Sequence, residues 1–210
     1  MSILWGDLLP GRTDRAVFVG QTGSGKTTLA RYLSLGREYV LAIDPKGLLE
    51  WPGYRLVRRA ADLPKLAPKE VKRIVYRPDP AELVDPEAIN NVLGWIYARR
   101  NTTLYVDEVY GILPGGTNIP SNLVACVTRG REHRVEVWSA CQRPARIPLM
   151  LLSEAEHYYV FRLTMEEDRK RVEGLTGIAA DKILALRKRE FFHFDFDGGI
   201  KGPLKLNLGR

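Results

Sequence analysis

Short apolar runs recur along the chain, and turn-forming residues separate them. Seven of these runs predict buried strands: 16–19, 39–44, 54–57, 73–77, 103–108, 135–141 and 156–163. Apolar residues at helical spacing, such as those between 89 and 97, predict amphipathic helices between the strands. Asp85 followed by Pro86 predicts the start of that helix, and Ser121 predicts the N-cap of the next one.

The order of these elements predicts the fold class. Strands joined by helical crossovers form βαβ units, so we expect an α/β fold with a mostly parallel sheet flanked by helices. Residues 190–196 and 204–208 alternate in hydropathy around a turn at Asp197-Gly198-Gly199, which predicts a C-terminal β-hairpin. We expect one domain over residues 1–210, with residues 1–15 as an N-terminal extension and 190–210 as the hairpin.

The composition narrows the class of protein. Hydrophobic residues make up 45% and charged residues 27%, which is typical of soluble globular proteins. No apolar run reaches the ~18 residues of a membrane span, and the N-terminus lacks the pattern of a signal peptide. Cys126 and Cys141 are expected to be buried thiols. The net charge of +7 permits a polyanionic partner without requiring one.

Residues 20–27 match the phosphate-loop pattern G-x-x-x-x-G-K-[ST] without a mismatch. A predicted strand precedes them and a predicted helix follows them, so backbone N–H groups and the helix N-terminus would face a phosphate. Lys26 is expected to reach the β- and γ-phosphates of ATP, and the Thr27 hydroxyl to bind Mg²⁺. The predicted nucleotide-binding residues are Gly20, Gln21, Thr22, Gly23, Ser24, Gly25, Lys26, Thr27 and Thr28.

Two carboxylates and an amide end other predicted strands. Asp107 and Glu108 follow an apolar strand, where Asp107 is expected to hold Mg²⁺ beside Thr27 and Glu108 to polarise the attacking water. This second carboxylate favours a hydrolase over a phosphotransferase, which needs no activated water. Gln142 follows the strand 135–141, where its amide is expected to reach the γ-phosphate or the water.

These motifs together resemble the FtsK/HerA superfamily of DNA-pumping ATPases. The resemblance rests on Gly20–Thr27, Asp44-Pro45-Lys46-Gly47, Asp107-Glu108 and Gln142-Arg143-Pro144, in that order, and covers most of the chain. Among these proteins, a bare motor of this length is similar to the genome-packaging ATPases of membrane-containing icosahedral viruses.

The resemblance implies a RecA-like P-loop sheet of the ASCE class and ATP hydrolysis with Mg²⁺ between the subunits of a homo-oligomeric ring, a hexamer or pentamer. It also implies translocation of double-stranded DNA in the host cytoplasm, with capsid or vertex proteins of the virion as further partners. An arginine finger would reach the ATP of the neighbouring subunit, and its candidates are Arg129, Arg131 and Arg134.

The sequence offers more than one set of candidate DNA-contacting residues. The loop 111–120 has no Lys or Arg, although Asn118 and backbone amides could contact DNA. The alternative candidates are basic residues in two groups: Lys65, Lys69, Lys72 and Arg73, or Arg55, Arg58 and Arg59.

Three other functions fit parts of the pattern. Another DNA pump of the same superfamily, for conjugation or phage assembly, would share every motif. A small-molecule kinase would share the phosphate loop, but Asp107-Glu108 and Gln142 argue against it. A scaffold that only binds nucleotide would not need Glu108 or Gln142.

Overall fold

The computed structural model describes residues 5–66 and 70–207, and nine strands in these residues form one sheet. The strands are β1 (Ala16–Val19), β2 (Val40–Ile43), β3 (Arg55–Val57), β4 (Arg73–Tyr76), β5 (Thr102–Val106), β6 (Val135–Cys141), β7 (His157–Phe161), β8 (Glu190–Asp195) and β9 (Gly199–Lys205). Each of the seven predicted strands and the predicted hairpin are confirmed, but the second arm was predicted at 204–208 and begins instead at Gly199, directly after the turn. Residues 1–4 and 208–210, at the ends of the predicted extension and hairpin, lie outside the described residues.

The sheet has the order β3-β4-β2-β5-β6-β1-β7-β8-β9. All neighbours from β3 to β7 pair in parallel, and β8 and β9 pair antiparallel at one edge. The predicted α/β fold with a mostly parallel sheet and a C-terminal hairpin is therefore confirmed. Because β6 lies between β1 and β5, the carboxyl ends of three central strands meet along one edge of the sheet.

Helices cover both faces of this sheet. They are α1 (Lys26–Ser34), α2 (Pro80–Val84), α3 (Pro86–Arg99), α4 (Ser121–His133), α5 (Leu149–Ser153), α6 (Glu166–Thr176) and α7 (Ala180–Ala185). Successive side chains of a strand point to opposite faces, so Val17 and Val19 enter one core and Ala16 and Phe18 the other. Helix α1 packs on the Phe18 face, whereas the longer α3 and α4 pack on the Val17 face.

The helix starts were predicted with mixed success. Asp85 caps α3, since its carboxylate accepts a hydrogen bond from the Glu87 amide at 3.0 Å. The prediction that Ser121 caps α4 was wrong, because Pro120 occupies the N-cap position and Ser121 is the first helical residue. The Ser121 hydroxyl instead lies 3.3 Å from Oδ1 of Asn90 on α3. Both cysteines are buried free thiols, as predicted.

Candidate active site

The phosphate loop connects the end of β1 to the start of α1. Gly20, Gly23 and Gly25 have φ values of 154°, 74° and 115°, a region that side chains with a Cβ rarely adopt. A Cβ on Gly20 would also lie 2.5 Å from Cβ of Phe161. The glycines therefore allow both the left-handed backbone and the close approach of β7. Thr28 lies in the first turn of α1, directly after the loop.

The Lys26 side chain lies across the loop that precedes it. Its ammonium donates hydrogen bonds to the carbonyl oxygens of Gly20 at 2.7 Å and Gln21 at 3.0 Å. Burial lowers the pKa of Lys26, and the negative charges of Glu108 and Asp107 oppose that shift. The loop thus places one buried cation where a phosphate chain would bring negative charge.

Thr27 and Asp107 lie together, as the sequence predicted for a Mg²⁺ site. The Thr27 hydroxyl donates to Oδ1 of Asp107 at 2.8 Å. A hydroxyl oxygen and a carboxylate oxygen are ligands that Mg²⁺ prefers, so this pair fits the metal. When bound with ATP, Mg²⁺ would neutralise negative charge on the phosphates.

Tyr105, in β5, supports Asp107, which directly follows that strand, and this contact was not predicted. Its hydroxyl also donates to Oδ1 of Asp107, at 2.7 Å. Its ring is fully buried and stacks on Trp51, with centroids 5.2 Å apart. Burial, reinforced by the Asp107 carboxylate, raises the pKa of Tyr105 well above its usual value and keeps the hydroxyl a donor. Residues two apart in a strand share a face, so the spacing of Tyr105 and Asp107 was an available signal.

We expect Tyr105→Phe to raise the Mg²⁺ concentration needed for half-maximal ATP turnover by about tenfold, because partners that orient a metal ligand have effects of that order. Turnover at saturating Mg²⁺ should change little, since Asp107 and Thr27 remain. A magnesium titration of the ATPase rate measures this. Tyr158→Phe is the matched control, because that buried hydroxyl donates to the Leu152 carbonyl instead. Equal magnesium titrations for wild type and Tyr105→Phe would contradict the role of this hydroxyl.

Glu108 lies beside the loop and is oriented by groups from both neighbouring strands. Its backbone is left-handed, with φ 68° and ψ 77°. Its Oε1 accepts a hydrogen bond from the Gln142 backbone amide at 3.4 Å, and its Oε2 lies 3.2 Å from Nζ of Lys46. A carboxylate held in this way can orient a water and accept its proton.

The Gln142 side chain contacts the phosphate loop directly. Its Oε1 accepts a hydrogen bond from the Thr22 hydroxyl at 2.9 Å. Both residues line a cavity of about 390 Å³ next to the loop, and Asp168 lines it from α6.

The Asp168 carboxylate is 1% exposed and accepts hydrogen bonds from Nε of Arg143 at 2.6 Å and the Ala145 amide at 3.0 Å. This carboxylate, which sequence reasoning missed, fixes the chain just after Gln142.

The predicted arginine-finger candidates lie elsewhere. Helix α4 leads directly into β6, so Arg129, Arg131 and Arg134 lie at the amino ends of the parallel strands, opposite the phosphate loop. Arg131 pairs with Glu156 at 2.7 Å, and all three arginines are exposed. The three arginines are therefore remote from the phosphate loop of their own chain. A residue that serves the active site of a neighbouring subunit has to be remote from its own.

The candidate DNA-contacting residues differ in whether their side chains already form ion pairs or hydrogen bonds within the chain. Lys65 pairs with Asp62 and Lys72 pairs with Glu38, at 2.7 and 3.0 Å. The Arg73 guanidinium donates to the carbonyl oxygens of Leu35 and Arg37, and Lys69 lies outside the described residues. By contrast, the other group lies exposed on or just after the edge strand β3: Arg55, Arg58 and Arg59.

Comparisons with known proteins show what kind of protein this chain is similar to. No protein-family model matches the chain. The DNA packaging ATPase P9 of Enterobacteria phage PRD1 is 26% identical over 204 residues, which cover 89% of this chain and 84% of that protein. The chain is similar to a viral genome-packaging ATPase. The resemblance to viral genome-packaging ATPases noted in the sequence is thereby confirmed.

Solved structures with a similar fold include a viral packaging NTPase and VirB4. The genome packaging NTPase B204 of Sulfolobus turreted icosahedral virus 2, in complex with AMPPCP, superposes with a TM-score of 0.73 at 17% identity, covering 91% of this chain and 97% of that one. VirB4 of Thermoanaerobacter pseudethanolicus superposes with a TM-score of 0.69 at 12% identity, covering 93% and 90%. In the described part of this chain, no helix is both long enough and apolar enough to span a membrane.

Proposed function

We propose that this chain is an ATP-hydrolysing motor that moves double-stranded DNA into a viral capsid. The observation that carries the proposal is the meeting of Lys26, the Thr27–Asp107 pair, Glu108 and Gln142 along one edge of the sheet. The likeness to the packaging ATPase of phage PRD1 supports the choice of DNA as cargo and a capsid as destination. We propose one ATPase domain over residues 1–210, acting in the host cytoplasm and at the virion vertex.

The residues have separate roles in this proposal. The loop amides and Lys26 bind the phosphates, while Thr27 and Asp107 hold Mg²⁺. Glu108 orients the attacking water and accepts its proton. Gln142 contacts Thr22, so a γ-phosphate bound there would be sensed by the end of β6. Together these groups support hydrolysis rather than transfer to an acceptor.

The proposed motor is a homo-oligomeric ring of five or six subunits. A ring would place the exposed arginines at the end of α4 against a neighbouring site, where one of Arg129, Arg131 and Arg134 would act as the finger. Arg131 would have to leave Glu156 to do so, since the two side chains form an ion pair at 2.7 Å. Because the finger would come from a neighbouring subunit, turnover would depend on assembly.

The test is the ATPase rate measured against protein concentration, with and without double-stranded DNA. We expect the rate per subunit to rise steeply with concentration, because a finger from a neighbour completes the site, and to rise further with DNA. DNA binding should weaken with salt, because contacts to phosphates release counterions. A rate per subunit that is independent of concentration and DNA would contradict a ring motor, and turnover only with a small phosphate acceptor would indicate a kinase.

A different DNA pump is the second candidate, because it would use the same phosphate loop together with Asp107, Glu108 and Gln142. Both candidates predict DNA-stimulated turnover. Packaging differs because it requires the viral capsid: purified procapsids should accumulate nuclease-protected DNA when this protein and ATP are added.

A further inference from the structure

Lys46 is a cation beside the candidate active site to which none of the roles above is assigned. Its Nζ lies 3.2 Å from Oε2 of Glu108. The Glu108 side chain is 13% exposed, whereas that of Lys46 is 41% exposed. Lys46 therefore contacts a largely buried carboxylate from the side that faces solvent.

The turn that carries Lys46 is held firmly by the wholly buried Asp44. The Asp44 carboxylate accepts hydrogen bonds from the amides of Leu48 and Leu49, at 3.0 and 2.9 Å. It also accepts one from Nε of Arg77 at 2.9 Å. The backbone on both sides of Lys46 is thus fixed, so the side chain extends from a defined position toward Glu108.

Glu108 is held from two directions as a consequence of the strand order. Strand β5, which it follows, lies between β2 and β6. Lys46 comes from the turn after β2 and contacts Oε2, while the Gln142 amide comes from the end of β6 and donates to Oε1. One donor for each oxygen sets the plane of the carboxylate, which determines where a water on it would lie.

The charges around Glu108 favour this arrangement. Lys26 and Lys46 carry like charges and therefore repel each other. Glu108 attracts both cations, so Lys46 lowers its energy by contacting the carboxylate rather than by moving toward Lys26. This pair is partly exposed, and the Coulombic gain from it is accordingly modest.

We propose that Lys46 is a positioning residue for ATP hydrolysis, which orients the Glu108 carboxylate and does not itself bind the nucleotide. The proposal rests on the proposed function, because it assigns Glu108 a role in activating water. It goes beyond that function by adding a residue from the turn after β2 to the reaction.

The experiment compares Lys46→Ala, Lys46→Arg, Glu108→Gln and the double variant Lys46→Ala/Glu108→Gln. We expect Lys46→Ala to lower kcat about five- to tenfold with little change in KM, because one charge-assisted hydrogen bond is lost. Lys46→Arg should recover most of kcat, since it restores a cationic donor. The double variant should turn over ATP no more slowly than Glu108→Gln alone, because Lys46 acts through that carboxylate.

Two results would overturn the proposal. If Lys46→Ala weakens binding of a non-hydrolysable ATP analogue to the same extent in the wild-type background and in the Glu108→Gln background, Lys46 contacts the nucleotide. If Lys46→Ala raises kcat or leaves it unchanged, Lys46 does not position Glu108 for catalysis. Lys170→Ala is the control, because it removes an exposed lysine–carboxylate pair, with Glu166 on α6, and no role is proposed for Lys170. An inactive wild type would count against the proposed function instead.

Discussion

Lys26→Ala should abolish ATP hydrolysis and most nucleotide binding. We expect turnover to fall by about 10³-fold or more, the range seen when a preorganised charge on transferring phosphates is removed. The loss is large because Lys26 is only 8% exposed, and in such a buried site solvent screens charges weakly and does not substitute for a lost cation. Steady-state turnover and the binding of a fluorescent ATP analogue measure the two effects separately.

The loop backbone should survive this substitution. The fold of the loop depends on its glycines and on backbone hydrogen bonds, such as those from Gly20 to Cys141 and from Gln21 to Arg162. The variant should therefore melt cooperatively, but its melting temperature should no longer rise when ATP is added. Lys182→Ala, an exposed lysine on α7, is the control and should retain both the rate and the shift. An ATP-induced shift of wild-type size in Lys26→Ala would contradict the assignment.

Much of the fold followed from the sequence because continuous apolar runs mark strands buried on both faces. Val40–Ile43 and Val135–Cys141 are buried throughout, as members of a parallel sheet must be. The hairpin was predicted from a different pattern, the alternation of apolar and polar residues on both sides of Asp197-Gly198-Gly199. Helix α2 was missed because its five residues are too few for a helical period to show.

The sheet edge that carries the active site was also predictable from the strand pattern, but one contact on that edge was not. The carboxyl ends of parallel strands share one edge, so Asp107, Glu108 and Gln142 could be assigned to the phosphate loop without knowing the strand order. The contact of Lys46 with Glu108 depends on β2 and β5 being neighbours. Buried strands of similar composition carry little information about their order, so this contact could not be derived from the sequence.

The arginine candidates mark a further limit. The sequence placed Arg129, Arg131 and Arg134 at the end of a helix that leads into the strand 135–141, and the fold puts that junction opposite the phosphate loop. Which of them serves a neighbouring site depends on contacts between subunits, and a single chain does not contain these contacts. The trans-acting role therefore stays a prediction, which single alanine variants tested in mixed rings with wild type would resolve.

Glu108→Gln should bind ATP normally and hydrolyse it about 10²–10⁴-fold more slowly, the range for loss of a general base. The amide has nearly the shape of the carboxylate, so its oxygen can still accept hydrogen bonds from Lys46 or the Gln142 amide. What is lost is the negative charge and the ability to take a proton from water. Single-turnover hydrolysis, measured together with the Kd for ATP, tests both halves of the expectation.

Asp107→Asn is the informative control for Glu108→Gln, because it removes one negative charge from the adjacent position. Its defect should depend on the Mg²⁺ concentration, since Asp107 is the proposed metal ligand, whereas the defect of Glu108→Gln should persist at saturating Mg²⁺. Wild-type turnover by Glu108→Gln would mean that another group activates the water. Loss of ATP binding would mean that Glu108 shapes the nucleotide site rather than the reaction. Retained binding with slow turnover, beside the loss of both in Lys26→Ala, would separate the binding step from the chemical step on one edge of the sheet.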